Sequence, residues 1–487
     1  MDLELGLDPD AASRFSRLPL LAPLRSGRPR NRSIRIIWHD SAERALADEG
    51  LVLAEQRPVW RLERLTPDGA TWPPGAPPPT VASARTLNEL GHTLPHPLVP
   101  VAAFEGRARS TDLVCEQGPV VMTLLMGTVR AVAGEQRVCR LHLEGAVQPV
   151  QALAVALAGQ VALSVPRACL AAEALAIVSG VPPAPRHQGA PELPAGCSIA
   201  EAFAHTIAHL TDVILHYAPS AAVSREDPEP VHQMRVAVRR LRSAIKVFRR
   251  AVRSPEVDAA DEGLKALAAR LGPTRDWDVF VTETFATVAE AFPGDKHLKR
   301  LLAAAERRRR TCHSELRAFL SSVDFHRLGI ELACLAGGTE WQETLGEAEQ
   351  AELGLSLEQF AAKVLDRRLK RLVQVETALA ELEPSALHSV RLVAKRLRYA
   401  AEIFAPLYPT KATSRYLRRL SELQDRLGML NDVSVAQALL AELGGSGGSQ
   451  AFASGLLLGF SGAHAGRTRG KIDAVWQKFR RQSPFWD

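Results

Sequence analysis

The sequence predicts an α+β N-terminal domain built on an antiparallel sheet, followed by an all-α region of two pseudo-symmetric four-helix bundles. Three observations carry that prediction. The hydrophobic period changes from two to about 3.6 across a Pro/Gly-rich stretch, one basic helical motif recurs 156 residues later, and a second motif repeats at the same offset.

Before the change of period, short segments alternate. In "RVCRLHLEG" (137–145) Val138, Arg140 and His142 fall on one face and Cys139, Leu141 and Leu143 on the other. "PVWRLERL", "PVVMTLLMGTV" and "QVALSV" read as further strands, and helical patterns intervene at about 9–19, 40–50 and 148–158. These define a first domain over 1–179. "GVPPAPRHQGAPELPAG" (180–196) lacks apolar periodicity and reads as a linker to a helical domain over 197–487.

In "VHQMRVAVRRLRSAIKVF" (231–248) the apolar residues Val231, Met234, Val238, Leu241, Ile245 and Phe248 share one helix face. Asp227 can cap this helix and Pro228 suits its first turn. "LHSVRLVAKRLRYAAEIF" (387–404) repeats the layout with 7 identities in 18 positions. "ARLGPTRDWDVF" (269–280) and "DRLGMLNDVSVA" (425–436) align at the same offset and pair Asp276 with Asp432. One offset for both motifs implies a duplicated unit, with repeat one over about 197–340 and repeat two over about 350–487. The helices are expected near 198–217, 228–253, 258–291 and 297–320, then 354–380, 384–406, 411–442 and 450–482, with "GGSGGS" (444–449) as a flexible turn.

At 487 residues and 46% apolar content the chain can bury two or three cores. No window approaches the roughly 18 apolar residues of a membrane span, and "MDLELGLDPD" is acidic where a secretory signal is basic, so the expectation is a soluble cytoplasmic protein with no membrane partner. The six cysteines show no CxxC spacing, which argues against a disulfide framework or zinc site and for reduced thiols. The net charge of +6 is uneven: residues 1–200 carry 19 Arg against 19 acidic residues, leaving 41 basic and 35 acidic residues in 201–487. That bias points to a polyanionic partner for the helical region.

Within 231–248, His232, Arg235, Arg239, Arg242 and Lys246 form a stripe roughly 110° around the helix from the apolar one. The second copy offers His388, Arg391, Lys395 and Arg398, with Glu402 reversing the sign at the last position. Residues 231–250 contain no Asp or Glu, so like charges repel along the face by a few tenths of a kcal/mol per pair. A bound anion would relieve this, and arginine's planar fork suits phosphate. The histidines either add charge beside an anion or hydrogen-bond a neighbouring helix end, and the two roles are compatible. Arg310 and Arg317, beside His313, and Lys363, Arg367 and Lys370 offer further cations at helical spacing. No Gly-rich phosphate loop, HExxH, nucleophile elbow or clustered acidic pair is present. Asp276 and Asp432 follow Gly272 and Gly428 and are read as serving local helix geometry.

The repeated motifs, with "LRRLSELQDRLGMLNDVSVA" and the final "FRRQSPFW", resemble the conserved histidine α-helical domain, CHAD, over about 196–487. The resemblance implies two pseudo-symmetric four-helix bundles around a basic surface or pore that binds inorganic polyphosphate. It also implies His232, Arg235, Arg239, Arg242, His388, Arg391, Lys395 and Arg398 as ligands, and association with polyphosphate granules. More weakly, "MDLELGLDPDAASRFSRLPLL" and "IWHDSAERALADEGLVLAEQ" resemble the opening of CYTH triphosphate tunnel enzymes. Their ExExK motif appears as Asp2, Glu4 and Gly6, and their acidic metal strands are replaced by Val121, Leu125 and Thr128 and by Arg140 and His142. A degenerate scaffold without cofactor, metal site or catalytic residues is therefore expected. The leading expectation is a non-enzymatic polyphosphate-binding protein. An inorganic triphosphatase using the N-terminal tunnel is the first alternative; nucleic-acid binding is the second, disfavoured because only 5% of the chain is aromatic.

Overall fold

The computed structural model describes residues 1–65, 80–82, 97–166, 168–181, 191–194, 196–224, 226–338, 340–342, 345–375, 378–444 and 448–486. Most of the 180–196 linker and the centre of "GGSGGS" lie outside the described residues.

Among the described residues the first domain is a nine-stranded antiparallel sheet in the order β5-β4-β3-β2-β6-β7-β8-β1-β9. The strands are β1 (Asp2–Leu7), β2 (Arg25–Asp40), β3 (Leu51–Gln56), β4 (Val59–Arg64), β5 (Thr80–Ala82), β6 (Val99–Cys115), β7 (Gly118–Ala131), β8 (Gly134–Gly145) and β9 (Leu163–Ser164). The β2–β6–β7 ribbon is long, and β2 is Arg-rich and largely exposed, which hides its period. Gly106 and Gly127 are cross-strand partners under the Phe104 ring, where a Cβ on either would meet backbone at under 3 Å.

Both faces of the sheet are covered. Helix α1 (Val147–Ala158) packs its apolar side on Leu3, Leu5, Leu141 and Leu143, while α2 (Leu170–Ser179) lies on the opposite face against Phe104, Val129 and Val138. The period-two strand β8 is thus buried on both sides, not solvated on one. The predicted helices at 9–19 and 40–50 shrink to single turns, Ala12–Phe15 and Ala45–Asp48.

Repeat one comprises α3 (Ile199–Val223), α4 (Glu229–Phe248), α5 (Pro255–Val279) and α6 (Lys296–Leu320). Repeat two comprises α8 (Leu357–Val373), α9 (Pro384–Phe404), α10 (Thr410–Glu442) and a last arm split into α11 (Gly448–Arg469) and α12 (Ile472–Arg480). Local signals set the starts: Ser198 with Glu201 and Ser356 with Gln359 form capping boxes, and Asp227 accepts the Glu229 N–H at 2.9 Å. An unpredicted helix, α7 (Val323–Gly337), supplies Ile330, Ala333 and Cys334 to the core under α1 and so fastens the sheet domain to the bundles.

The two repeats share one continuous core. At the C-terminal ends of α4 and α9, the repeat-related Phe248 and Phe404 meet with ring centroids 5.8 Å apart, and Phe360 stacks on Phe248 at 5.7 Å. A second contact zone, distal to this one, joins Trp277, Phe280 and Phe285 to Ala436, Leu439 and Leu457. Cys139, Cys169, Cys312 and Cys334 are buried, and Cys115 and Cys197 are half-buried. Among the described residues, no helix is long and apolar enough to cross a membrane.

Candidate anion-binding cleft

Between the two contact zones lies a cleft of about 380 Å³ lined by α4, α5, α9 and α10. His232, Arg235 and Arg239 enter it from repeat one and Arg391 and Lys395 from repeat two, the 156-residue offset relating Arg235 to Arg391 and Arg239 to Lys395. Each helix carries its cations one turn apart beside its buried stripe, so packing the two stripes together turns both basic rows toward the same opening. Arg275 joins them from α5, so that among the described residues five cationic side chains and His232 face two carboxylates, Asp276 and Glu283.

The floor is apolar, formed by Val279, Phe280, Val435, Ala436 and Leu439. A π turn, Phe280–Phe285, interrupts the helical run after α5, and its Phe280, Glu283 and Thr284 line the cleft. The equivalent stretch of α10 is regular helix, so this wall is not duplicated.

Asp276 departs from its sequence reading. Gly272 forms no turn but lies inside α5, where its missing Cβ leaves room for the Arg235 guanidinium; Asp276, one turn on, ion-pairs with Arg235 at 3.2 Å. Burial pushes the Asp276 carboxyl above its ordinary range, against the pull of Arg235, Arg275, Arg391 and Lys395. The side chain of Asp432 lies outside the described residues. Arg239 stacks over the Tyr399 ring at 5.3 Å, and loss of hydration lowers its pKa, opposed by Tyr399 and aided by Arg235 and Arg398.

Burial, reinforced by Arg275 and Arg239, lowers the His232 pKa against opposing pulls from Glu229 and Glu283. Without an anion this group stabilises the fold above the unfolded-state value near 6.5, and the contribution is lost as pH falls through the lower folded value. An anion in the cleft favours protonated His232 and protonated Asp276 alike. Polyanion binding is therefore expected to take up protons and to tighten between pH 7 and pH 5, by at most about tenfold per unit for each proton taken up. Calorimetry in two buffers of different ionisation heat measures the uptake; the account requires it to shrink in His232→Asn, and binding without uptake contradicts it.

The other predicted ligands fall elsewhere. Arg242 pairs with Asp261 at 2.8 Å, and Arg398 pairs with Glu402 at 2.7 Å and reaches Gln424 at 3.2 Å, so both ends of the stripe are answered by polar groups of the protein. Glu402 also pairs with Arg240 at 3.3 Å. His388 is exposed and does not line the cleft. Arg310 is exposed on α6, and Arg317 donates to the Ala222 carbonyl at 2.6 Å. Their companion His313 is buried, sharing the Asp278 carboxylate with Arg309 at 2.9 and 2.7 Å. Lys363 and Lys370 are exposed on α8; Lys246 and Arg367 line a different groove.

In the sheet domain, Arg140 is buried between Glu4, at 3.0 Å, and Glu173 of α2, so a fixed guanidinium takes up both carboxylates. Glu63 on β4, beside Val52 on the inner, α2-covered face of the sheet, is raised by burial, opposed by Trp38 and Arg61 and raised further by Glu4. Trp38, Phe104, Leu125 and Val138 fill this inner face.

A duplicated helical domain with a basic cleft between its halves is the class that this geometry defines. Residues 199–441 match the CHAD domain family model, and the chain belongs to that family through its helical region. The crystal structure of the CHAD domain from the plant Ricinus communis is 28% identical, covers 62% of this chain and 98% of its own, and superposes with a TM-score of 0.52. PptA from Streptomyces chartreusis is similar at 18% identity, covering 58% of this chain and 100% of its own, with a TM-score of 0.44. HpAC1 from Hippeastrum, described as an adenylyl cyclase with a dominant triphosphatase activity, aligns at 12% identity over 39% of this chain and 99% of its own, with a TM-score of 0.25. The last two scores are too low to add to the assignment. No curated protein matches the chain.

Proposed function

We propose that the chain binds inorganic polyphosphate without turning it over, holding the polymer in the cleft between the repeats. The observation that carries this reading is the convergence of Arg235 and Arg239 with Arg391 and Lys395 on one opening, where among the described residues cations outnumber carboxylates. A flexible linear chain with about one negative charge per phosphate can place successive oxyanions against cations on both walls, and guanidinium groups donate paired hydrogen bonds to each. The same chemistry would let the protein attach to polyphosphate granules.

The sheet domain serves as a scaffold in this proposal. Triphosphate hydrolysis in a tunnel needs carboxylates free to hold a divalent metal, whereas Glu4 and Glu173 are engaged by Arg140 and the inner face is packed with Trp38, Phe104 and α2.

A salt titration tests the reading. With about four phosphates engaged, and single-stranded nucleic acid as the analogue, log K is expected to fall with log salt at a slope of about −3. Long-chain polyphosphate should displace single-stranded RNA at matched ionic strength. RNA that resists displacement, or metal-dependent release of phosphate from triphosphate, would overturn the proposal in favour of nucleic-acid binding or hydrolysis respectively.

A further inference from the structure

A second basic groove, of about 350 Å³, lies where the end of α4 meets α8 and α9. Lys246, Arg249 and Arg250 line it from repeat one. Arg367, Arg368 and Arg371 of α8 face them, Arg396 of α9 completes the set, and among the described residues no carboxylate lines the groove. The nearest acidic groups act from outside: Asp258 pairs with Arg249 at 3.1 Å, Asp261 pairs with Arg242 at 2.8 Å, and Glu352 influences Arg367.

This groove does not continue the first cleft. On α9, Arg391 and Lys395 face the first cleft while Val393 and Arg396 face the groove, roughly 150° around the helix at about 100° per residue. Nor is it a product of the duplication: by the 156-residue offset Lys246, Arg249 and Arg250 correspond to Glu402, Ala405 and Pro406, so the related surface of repeat two lacks these cations. Seven cations share this lining, with Asp258 answering Arg249, and the others repel one another. Burial lowers the Arg368 pKa to about 10, with Arg396, Arg371 and Arg367 adding to the effect, and burial followed by Arg242 lowers Lys246. Part of the arrangement is locked by the Arg368 side chain, which donates to the Arg396 carbonyl at 2.5 Å.

We propose that this groove is a second, separate anion site that takes a compact, multiply charged condensed-phosphate group. Its volume of about 350 Å³ has room for a triphosphate-sized anion, whether a free molecule or the end of a polymer, and the site operates whether or not the first cleft holds a long chain. Lys246, Arg249, Arg250, Arg371 and Arg396 are exposed, and of these Arg250 and Arg371, one from each wall, can be changed without disturbing the core.

Calorimetry with tripolyphosphate on the full chain tests this. In Arg235→Ala/Arg391→Ala, where the first cleft is weakened, the groove's own binding event should remain at its wild-type affinity, whereas Arg250→Gln/Arg371→Gln should weaken that event roughly tenfold or more. Long-chain polyphosphate should show the opposite dependence on the first pair if the main reading holds, so failure of either site is distinguishable from failure of the other. A polymer end is the source if long-chain polyphosphate competes for the groove at a stoichiometry set by chain ends; a free molecule is the source if it does not. Unchanged tripolyphosphate affinity in the Arg250/Arg371 variant, equal losses in both variants, or no binding to wild type would each overturn the proposal.

Discussion

Replacing Arg235 and Arg391 together with alanine is expected to weaken long-chain polyphosphate binding about 100-fold, with little change in folding stability. Each guanidinium on a phosphate contributes about 1.5–3 kcal/mol, and about 1.4 kcal/mol is a factor of ten in Kd. The pair sits near the lower end because Arg235 exchanges its contact with Asp276 for the ligand. Stability should hold because both side chains are only partly buried and Arg275 and Lys395 remain beside Asp276. An Arg310→Ala/Lys363→Ala control, exposed and outside the cleft, should stay within about threefold of wild type. Equal affinities of wild type and the first pair would remove the cleft as the ligand face.

Arg140→Met is expected to destabilise the chain by about 3–5 kcal/mol in denaturant unfolding while leaving polyphosphate affinity unchanged. Removing one partner of a buried charge cluster strands the others, and here two carboxylates, Glu4 and Glu173, lose their cation. Glu4→Gln added to Arg140→Met should recover part of the loss, because one stranded charge is then neutral. A loss under about 1 kcal/mol would show that the cluster is hydrated and open, and would return the carboxylates to consideration as metal ligands.

The duplicated helices were legible because periodicity on one helix is a local property: the stripe of Val231, Met234 and Val238 fixes which way Arg235 and Arg239 face, and the 156-residue offset does the same for Arg391 and Lys395. What periodicity on one helix leaves out is the partner across the gap. Arg242 reads the same as Arg235 in sequence, yet Asp261 on α5 answers it, and Glu402 answers both Arg398 and Arg240. Arg275 was missed because its repeat counterpart is Asn431 and attention to the duplicated positions passes over it. The unpredicted α7 carried its own signal, Ser322 as cap and Leu328, Leu332 and Leu335 at helical spacing, but it lies beyond the four helices of the repeat. On the sheet, β2 alternates poorly because arginines extend from both of its faces into solvent, and α2 is too uniformly apolar to show a period.

The central claim is that cations of both repeats close on one phosphate chain. A crystal structure of the full chain with a polyphosphate of about fifteen units tests it most directly. The account predicts phosphate oxygens within hydrogen-bond distance, about 2.7–3.2 Å, of Arg235 on one wall and Arg391 on the other. A chain bound along the exposed face of α6 or α8, with the cleft between the repeats empty, would contradict it.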